Sequence, residues 1–142
     1  MKVKVKRFDK SLPLPQYQTE GAAALDLSAR VEMKIEPRSI GYVPLNIALQ
    51  LPPNHWILMA ARSSLHKQGL MLINGIGVGD YDYRGNNDEY RAALYNFTDQ
   101  PVQISKGQRV SQMIVLPREK VEFEELDQFQ TDDRGGFGST GS

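Results

Sequence analysis

Between Asn74 and Gly85 the chain reads Asn-Gly-Ile-Gly-Val-Gly-Asp-Tyr-Asp-Tyr-Arg-Gly. Asp80, Asp82, Tyr81, Tyr83 and Arg84 sit here in a frame of glycines. Glycine lets a ligand approach the backbone closely. Aspartate supplies a base, tyrosine a flat wall, and arginine a rigid fork of donors. Local turn chemistry alone also describes a β-hairpin with a polar tip. Three further polar runs make chemistry the better reading: Arg62-Ser63-Ser64-Leu65, Gly107-Gln108-Arg109-Val110-Ser111-Gln112, and Arg134-Gly135-Gly136-Phe137-Gly138-Ser139-Thr140-Gly141.

Arg62, Ser63 and Ser64 combine a guanidinium with two hydroxyls and, in a turn, successive backbone N–H groups, which suits phosphate oxygens. The alternative is a capped surface turn. The run is not a Walker loop, because the Gly-rich stretch and its Lys-Ser/Thr ending are missing. The segment from Gly107 to Gln112 is a second donor set or a charged turn. The glycines of the last segment free backbone N–H groups beside Arg134, Ser139 and Thr140 for an anion nest. A polyphosphate fits three such segments in one chain, and a triphosphate travels with Mg²⁺, which keeps much of its own water. Asp26 is a candidate for contact with that ion through water, or equally the partner of a neighbouring Arg. Phosphoanhydride hydrolysis needs an oriented water, which Asp80 can polarise. On an extended strand Asp82 points to the opposite face, so one of the two faces the ligand. Tyr83 is placed to stack on a sugar or base, and the Asn74 amide to bond an imide-like edge. His55 and His66 are alternative bases, though neither has a carboxylate or Ser beside it in triad-like order.

Those residues need a rigid scaffold, and the dominant period is two. Val3 and Val5 alternate with lysines, and Leu25 to Val31 alternates again. Ile40 to Leu51 is a long apolar run closed by Pro52-Pro53-Asn54. His55–Ala61, Leu70–Ile73, Tyr90–Phe97, Val102–Ile104, Val110–Leu116 and Val121–Leu126 complete the expected strands. Many short strands between turn residues predict an all-β jelly-roll-like barrel or sandwich. Only Ser63 to Gln68 reads as a helical turn, with Ser63 as its cap. Residues 1–126 form one domain. Residues 127–142 are polar and Gly-rich around a few phenylalanines and are expected to be a flexible C-terminal tail that orders on binding.

The 142-residue length supports one core. Seventeen Lys and Arg balance 17 Asp and Glu, which argues against a general nucleic-acid or membrane binder but not against a small anion. No cysteine is present, so disulfides and thiolate metal sites are excluded. The N-terminus carries no signal-like apolar run, and no segment approaches membrane-spanning length. A soluble cytoplasmic protein, in a host's cytoplasm if the chain is viral, is the expectation.

With these residues in order, the chain resembles the homotrimeric dUTP diphosphatase (dUTPase) family. Five segments carry the resemblance: Ala23-Ala24-Leu25-Asp26-Leu27; Arg62-Ser63-Ser64-Leu65 with Lys67 and Gly69; Asn74 to Gly85; Gly107 to Gln112; and Arg134 to Gly141. The resemblance implies a jelly-roll-like fold, a homotrimer with active sites shared between chains, and hydrolysis of dUTP to dUMP and pyrophosphate with Mg²⁺. That reaction limits uracil in DNA and supplies dUMP for dTMP synthesis. It implies that Asp80 orients the water attacking the α-phosphorus. Asn74 and the backbone at Gly77 would read uracil, with Tyr83 under the deoxyribose. Arg62, Ser63, Ser64 and Gln112 would hold phosphates, and Asp26 would meet Mg²⁺ through water. Phe137 and Gly138 would cover the base while Arg134, Ser139 and Thr140 bind the distal phosphates.

Three features depart from the pattern. Gly79 stands where a branched apolar residue is expected, the connection from Asn86 to Tyr90 is long, and the fifth segment is short between Arg134 and Phe137, as in a phage-like subgroup. Two rivals stay open at this point. One is a dCTP deaminase of the same fold, which would lack the Asp80–Tyr83 pairing. The other is a regulatory protein that binds dUTP without cleaving it.

Overall fold

The computed structural model describes residues 1–138 and 141. Ser139 and Thr140, expected to bind phosphate, lie outside the described residues. The strands are β1 (Lys4–Arg7), β2 (Leu25–Ser28), β3 (Met33–Ile35), β4 (Ile40–Pro44), β5 (Ile47–Gln50), β6 (His55–Ala61), β7 (Leu70–Leu72), β8 (Ile76–Gly79), β9 (Arg91–Asn96), β10 (Val102–Ile104) and β11 (Arg109–Pro117), with a 3₁₀ turn at Leu65–Gln68. Every strand pair is antiparallel. A four-stranded sheet in the order β2-β11-β6-β8 faces a three-stranded sheet β4-β9-β7, and the pairs β1-β5 and β10-β3 close the flanks. The expected jelly-roll-like all-β architecture is what forms.

Alternation explains the layering. In β9 the residues Ala92, Leu94 and Asn96 point inward, and in β6 Ile57 and Met59 do so. They meet Leu27, Ile35, Val43, Ile47, Leu70 and Val110 in one apolar core. Asn96 is polar yet fully buried, because every group of its amide is used. Its Nδ2 donates to the carbonyls of Ile35 at 3.0 Å and Gln100 at 2.7 Å, and its Oδ1 accepts from the N–H and hydroxyl of Thr98. A buried amide so satisfied fixes the turn after β9 instead of weakening the core.

The expected run Ile40–Leu51 is divided. Asn46 has φ of +69°, which ends β4 and redirects the chain into β5. Asparagine accepts that backbone more readily than most residues. Its side chain also clamps Asp9, accepting from the Asp9 N–H at 2.7 Å and donating to the Asp9 carbonyl at 3.0 Å. The Asn46 N–H donates to Glu89 Oε1 at 2.9 Å, and Arg30 binds both oxygens of that buried carboxylate at 2.8 and 3.0 Å.

The strand expected over Val121–Leu126 is absent. Among the described residues no strand pairs with it, and Val121, Phe123 and Leu126 are exposed, Phe123 at 93%. A strand without a partner leaves its backbone groups to water, and the interleaved glutamates favour that state. The expected cap is also shifted: Ser64, not Ser63, occupies the N-cap of the 3₁₀ turn, and its hydroxyl makes no cap bond. Strands β3 and β8 escaped the sequence reading, the first being three residues long and the second half glycine.

Replacing Glu89 with Gln keeps the shape but leaves the Arg30 guanidinium without its charge partner. The unfolding free energy should fall by about 2–3 kcal/mol. Urea denaturation of the two proteins checks this, and an unmoved midpoint would show that the ion pair is not structural.

Candidate active site

The glycine-rich segment does not fold back on itself as a hairpin. β7 pairs with β9, whereas β8 pairs with β6, so Asn74 and Gly75 carry the chain from one sheet to the other. Gly75 makes the turn with φ of +71°. Beyond β8 the chain leaves extended geometry at Asp80. The Tyr83 N–H donates to the Asp80 carbonyl at 3.2 Å and the Arg84 N–H to the Asp82 carbonyl at 3.0 Å. The strand alternation expected for Asp80 and Asp82 therefore does not apply. A turn, not a pleat, separates them.

Asn74, Gly77, Asp80 and Tyr83 line one cleft of about 330 Å³, together with Met59, Gly79, Glu89 and Tyr90. Asp82 is not among its walls. The long connection is ordered: Asp88 accepts from the Gly85 N–H at 2.6 Å, and Lys6 donates to the Asn86 carbonyl at 2.6 Å. Tyr83 is held upright by its hydroxyl, which donates to the Glu89 carbonyl at 2.9 Å, and by an edge contact with Tyr90 at 5.4 Å between centroids. Burial raises the Tyr83 phenol above its ordinary value.

Gly79 explains itself here. A Cβ at this position would lie 2.8 Å from a ring carbon of Tyr90, 3.0 Å from its hydroxyl and 2.9 Å from Cβ of Ile57. The Tyr90 ring fills the place that a branched side chain would take. Tyr90 is 5% exposed, its hydroxyl has no hydrogen-bond partner among the described residues, and burial pushes its phenol up to about 12. Sequence reasoning missed Tyr90 as a site residue. The missing side chain at Gly79 was the available signal.

The second cluster lies across the four-stranded sheet. Asp26 on β2 accepts from Arg62 Nε at 3.2 Å through one oxygen and from Arg109 Nη1 at 3.1 Å through the other. Gln112 on β11 donates to the Ala61 carbonyl at 2.8 Å, which fixes the end of β6 from which Arg62 projects. Ser63 and Ser64 follow at once. So Arg62, Gln112 and Asp26 come together, with Arg109 beside them. They are not walls of the Asp80 cleft. From β8 to β2 is three strand spacings, roughly 14 Å. Arg134, Phe137 and Gly138 are exposed, Phe137 fully so, and do not line the cleft. His66 is exposed on the 3₁₀ turn, and His55 sits at the far end of β6 with Nδ1 2.8 Å from the Pro53 carbonyl. Neither histidine lines the cleft with Asp80.

Among the described residues no three His, Cys, Asp or Glu side chains group as a metal site. The donor set fits only an ion that brings its own water and phosphate ligands. Asp26 is mostly buried and uses one direction of each oxygen on a guanidinium, leaving lone pairs for a bound water.

A cleft with a carboxylate and an aromatic wall, and a separate face with two guanidinium groups, define a protein for a ring-bearing polyanion. A sequence model of the dUTPase family matches residues 10–141. A deoxyuridine 5′-triphosphate nucleotidohydrolase of Caldanaerobacter subterraneus subsp. tengcongensis is 42% identical over 147 aligned positions, covering 98% of this chain and 97% of that one. One of Desulfitobacterium hafniense is 43% identical, covering 99% and 95%. The crystal structure of dUTPase from Streptococcus mutans superposes with a TM-score of 0.76 at 30% identity, covering 84% of this chain and 98% of that one. The dUTPase of Staphylococcus bacteriophage 80alpha with dUpNHpp reaches 0.85 at 19% identity, covering 99% of each, a likeness of fold. The chain belongs to the dUTPase family.

Tyr90 sets an alkaline limit. Its folded-state phenol ionises near 12, above its ordinary 10.0, so the folded protein holds that proton more tightly than the unfolded chain. The stabilisation is complete below pH 10 and is lost as pH rises toward 12. Denaturation midpoints between pH 9 and 12 should fall more steeply in the native protein than in Tyr90→Phe. Parallel curves would show that Tyr90 does not titrate in that range. Gly79→Val should be strongly destabilised through its collision with Ile57 and Tyr90, checked by thermal unfolding.

Proposed function

We propose that this chain is a dUTP diphosphatase acting through Asp80. The observation that carries the reading is the convergence of Asn74, Asp80 and Tyr83 on one cleft. Family membership and relatives named deoxyuridine 5′-triphosphate nucleotidohydrolase support it. The Asn74 amide and the backbone at Gly77 bond the uracil edge. Cytosine puts a donor where uracil has an acceptor and leaves buried polar groups unpaired, which costs about 1–3 kcal/mol. The Tyr83 ring packs under the deoxyribose and leaves no room for a 2′-hydroxyl.

Asp80 holds a water against the α-phosphorus. As the water oxygen bonds to phosphorus, Asp80 takes its proton, the bond from the α-phosphorus to the bridging oxygen breaks, and pyrophosphate leaves with the electron pair. Arg62, Ser63, Ser64 and Gln112 neutralise the phosphate oxygens. Mg²⁺ carried by the triphosphate would add positive charge along the leaving group, with Asp26 holding one of its waters.

The site is read as shared between copies of the chain, because Asp26 on the β2 edge stands three strands from the Asp80 cleft on the β8 edge. The outer face of β4-β9-β7 supports a homotrimer with shared sites. Ile40, Tyr42 and Met71 are exposed on it, in register with Tyr95 and Ala93. A contiguous apolar face of this kind marks a protein contact. Residues 1–126 serve as the body and 127–142 as a tail that closes over a site, with Phe137 on the base and Arg134, Ser139 and Thr140 on phosphates. Closure excludes water and strengthens each charge contact. Among the described residues no helix is long and apolar enough to cross a membrane. A nucleotide-pool substrate supports a cytoplasmic location.

Asp80→Asn should fold normally, bind dUTP and release pyrophosphate at least about 10³-fold more slowly. Release from dUTP but not dCTP, dTTP or UTP is expected of the native protein. Retained dUTP that stays intact with Mg²⁺ present would instead identify a regulatory binder. Truncation after Asp133 should leave the melting temperature unchanged and lower kcat/KM by about 10²-fold or more. Full activity without the tail would refute its closure.

A further inference from the structure

Two tyrosines stand in the wall of the Asp80 cleft, and their hydroxyls differ. The Tyr83 hydroxyl is used on the Glu89 carbonyl at 2.9 Å. The Tyr90 hydroxyl is buried and has no partner among the described residues. An unpaired hydroxyl away from water is a standing penalty that a phenylalanine would avoid. Nothing in the packing requires it, because the ring alone fills the space left by Gly79. The cost makes sense if a ligand supplies the acceptor.

The position of the hydroxyl says which part of the ligand that is. Gly77 and Gly79 lie two residues apart on β8 and face the same way, both more buried than Ile76 and Val78. The Asn74 Nδ2 lies 3.8 Å from the Cβ position of Gly77, and the Tyr90 hydroxyl 3.0 Å from that of Gly79. The two polar groups thus stand beside successive inward positions of β8, which are two residue rises, roughly 7 Å, apart. That is about the span from the pairing edge of a pyrimidine to the hydroxyl of its sugar. Asp80, the next residue along the chain, follows in the direction of the phosphates. The inference rests on the nucleotide reading of this cleft.

We propose that Tyr90 is a specificity residue whose hydroxyl donates a hydrogen bond to the 3′-oxygen of the bound deoxynucleotide. The raised phenol keeps Tyr90 a protonated donor throughout the working pH range. The absence of a side chain at Gly79 is then functional as well as steric. It opens the strand so that a phenol from the neighbouring β9 entrance reaches the sugar seat. A nucleotide without its 3′-hydroxyl leaves the phenol unpaired and is discriminated against.

The test is calorimetric binding of dUpNHpp and of its 3′-deoxy counterpart to the full chain and to Tyr90→Phe, with dUTP hydrolysis by the native protein run beside it. The native protein should prefer dUpNHpp by about tenfold. In Tyr90→Phe that preference should shrink by about threefold or more, while the melting temperature stays level or rises. A smaller change in the preference overturns the proposal, whatever happens to the two affinities together, because a packing role would move both alike. Failure of the native protein to bind dUpNHpp overturns it as well. A preference that shrinks as expected in a protein that does not hydrolyse dUTP would sustain the sugar contact and remove the hydrolase reading.

Discussion

The buried carboxylate of Glu89 is the point from which the cleft is hung. Its two oxygens take the Arg30 guanidinium and one of them the Asn46 N–H, so its charge is matched from two directions. Its own carbonyl receives the Tyr83 hydroxyl. The next residue, Tyr90, exchanges backbone bonds with both sides of the β4–β5 break, its N–H on Ile47 and its carbonyl on the Leu45 N–H. One side chain thus sets where β9 begins, how Tyr83 stands and where the Tyr90 ring points. A buried charge is a poor source of stability compared with an apolar side chain of its size. Here it supplies what an apolar residue does not, a fixed direction for each of several partners. The chain between Gly85 and Glu89 can then be long without being loose, because both of its ends are tied.

The exchange between positions 79 and 90 shows how a departure from a family pattern can be coherent. Gly79 alone reads as a weak point, since glycine in a strand forfeits packing and adds backbone entropy in the unfolded chain. With Tyr90 in view, the volume lost on one strand is returned from another. The return is not neutral, because it introduces an aromatic edge against Tyr83 and a phenol into the cleft wall. The two positions are coupled, so that neither residue has a meaning of its own in this fold.

Much of this was legible in the sequence, and the reasons for the rest are specific. Strands β6, β9, β10 and β11 announce themselves because their alternation is clean and their ends carry turn residues. The break at Asn46 was hidden inside an apolar run, since a left-handed asparagine is invisible to periodicity. Val121–Leu126 has strand-like alternation but no partner among the described residues, and a pairing partner is not a local property. Asp80, Tyr83 and Asn74, singled out by residue type and order, line one cleft, and Asp26 stands beside an Arg as in one of its two readings. Arg109 was seen only as part of a donor set, and Tyr90 only as the start of a strand. Arg109 acts between neighbouring strands of one sheet and Tyr90 between sheets, and spacing along the chain encodes neither contact.

The sheet order bears most directly on how a single chain relates to a whole site. β8 and β2 are the two edges of one four-stranded sheet. Asn74 and Asp80 belong to the β8 edge and Asp26 to the β2 edge, with Arg62 at the end of β6 and Arg109 at the start of β11 between them. A sheet is stiff across its strands, since each is held to the next by a ladder of hydrogen bonds, so no plausible flexing brings the edges together. Nor can the tail close that distance by itself, because it carries Arg134 and Phe137 but no second Asp26–Arg62 pair. The exposed apolar face of β4-β9-β7 is where the proposed homotrimer would bring neighbouring copies together. Under the proposed function, association of the chains would then complete the site that a single copy leaves spread across its sheet.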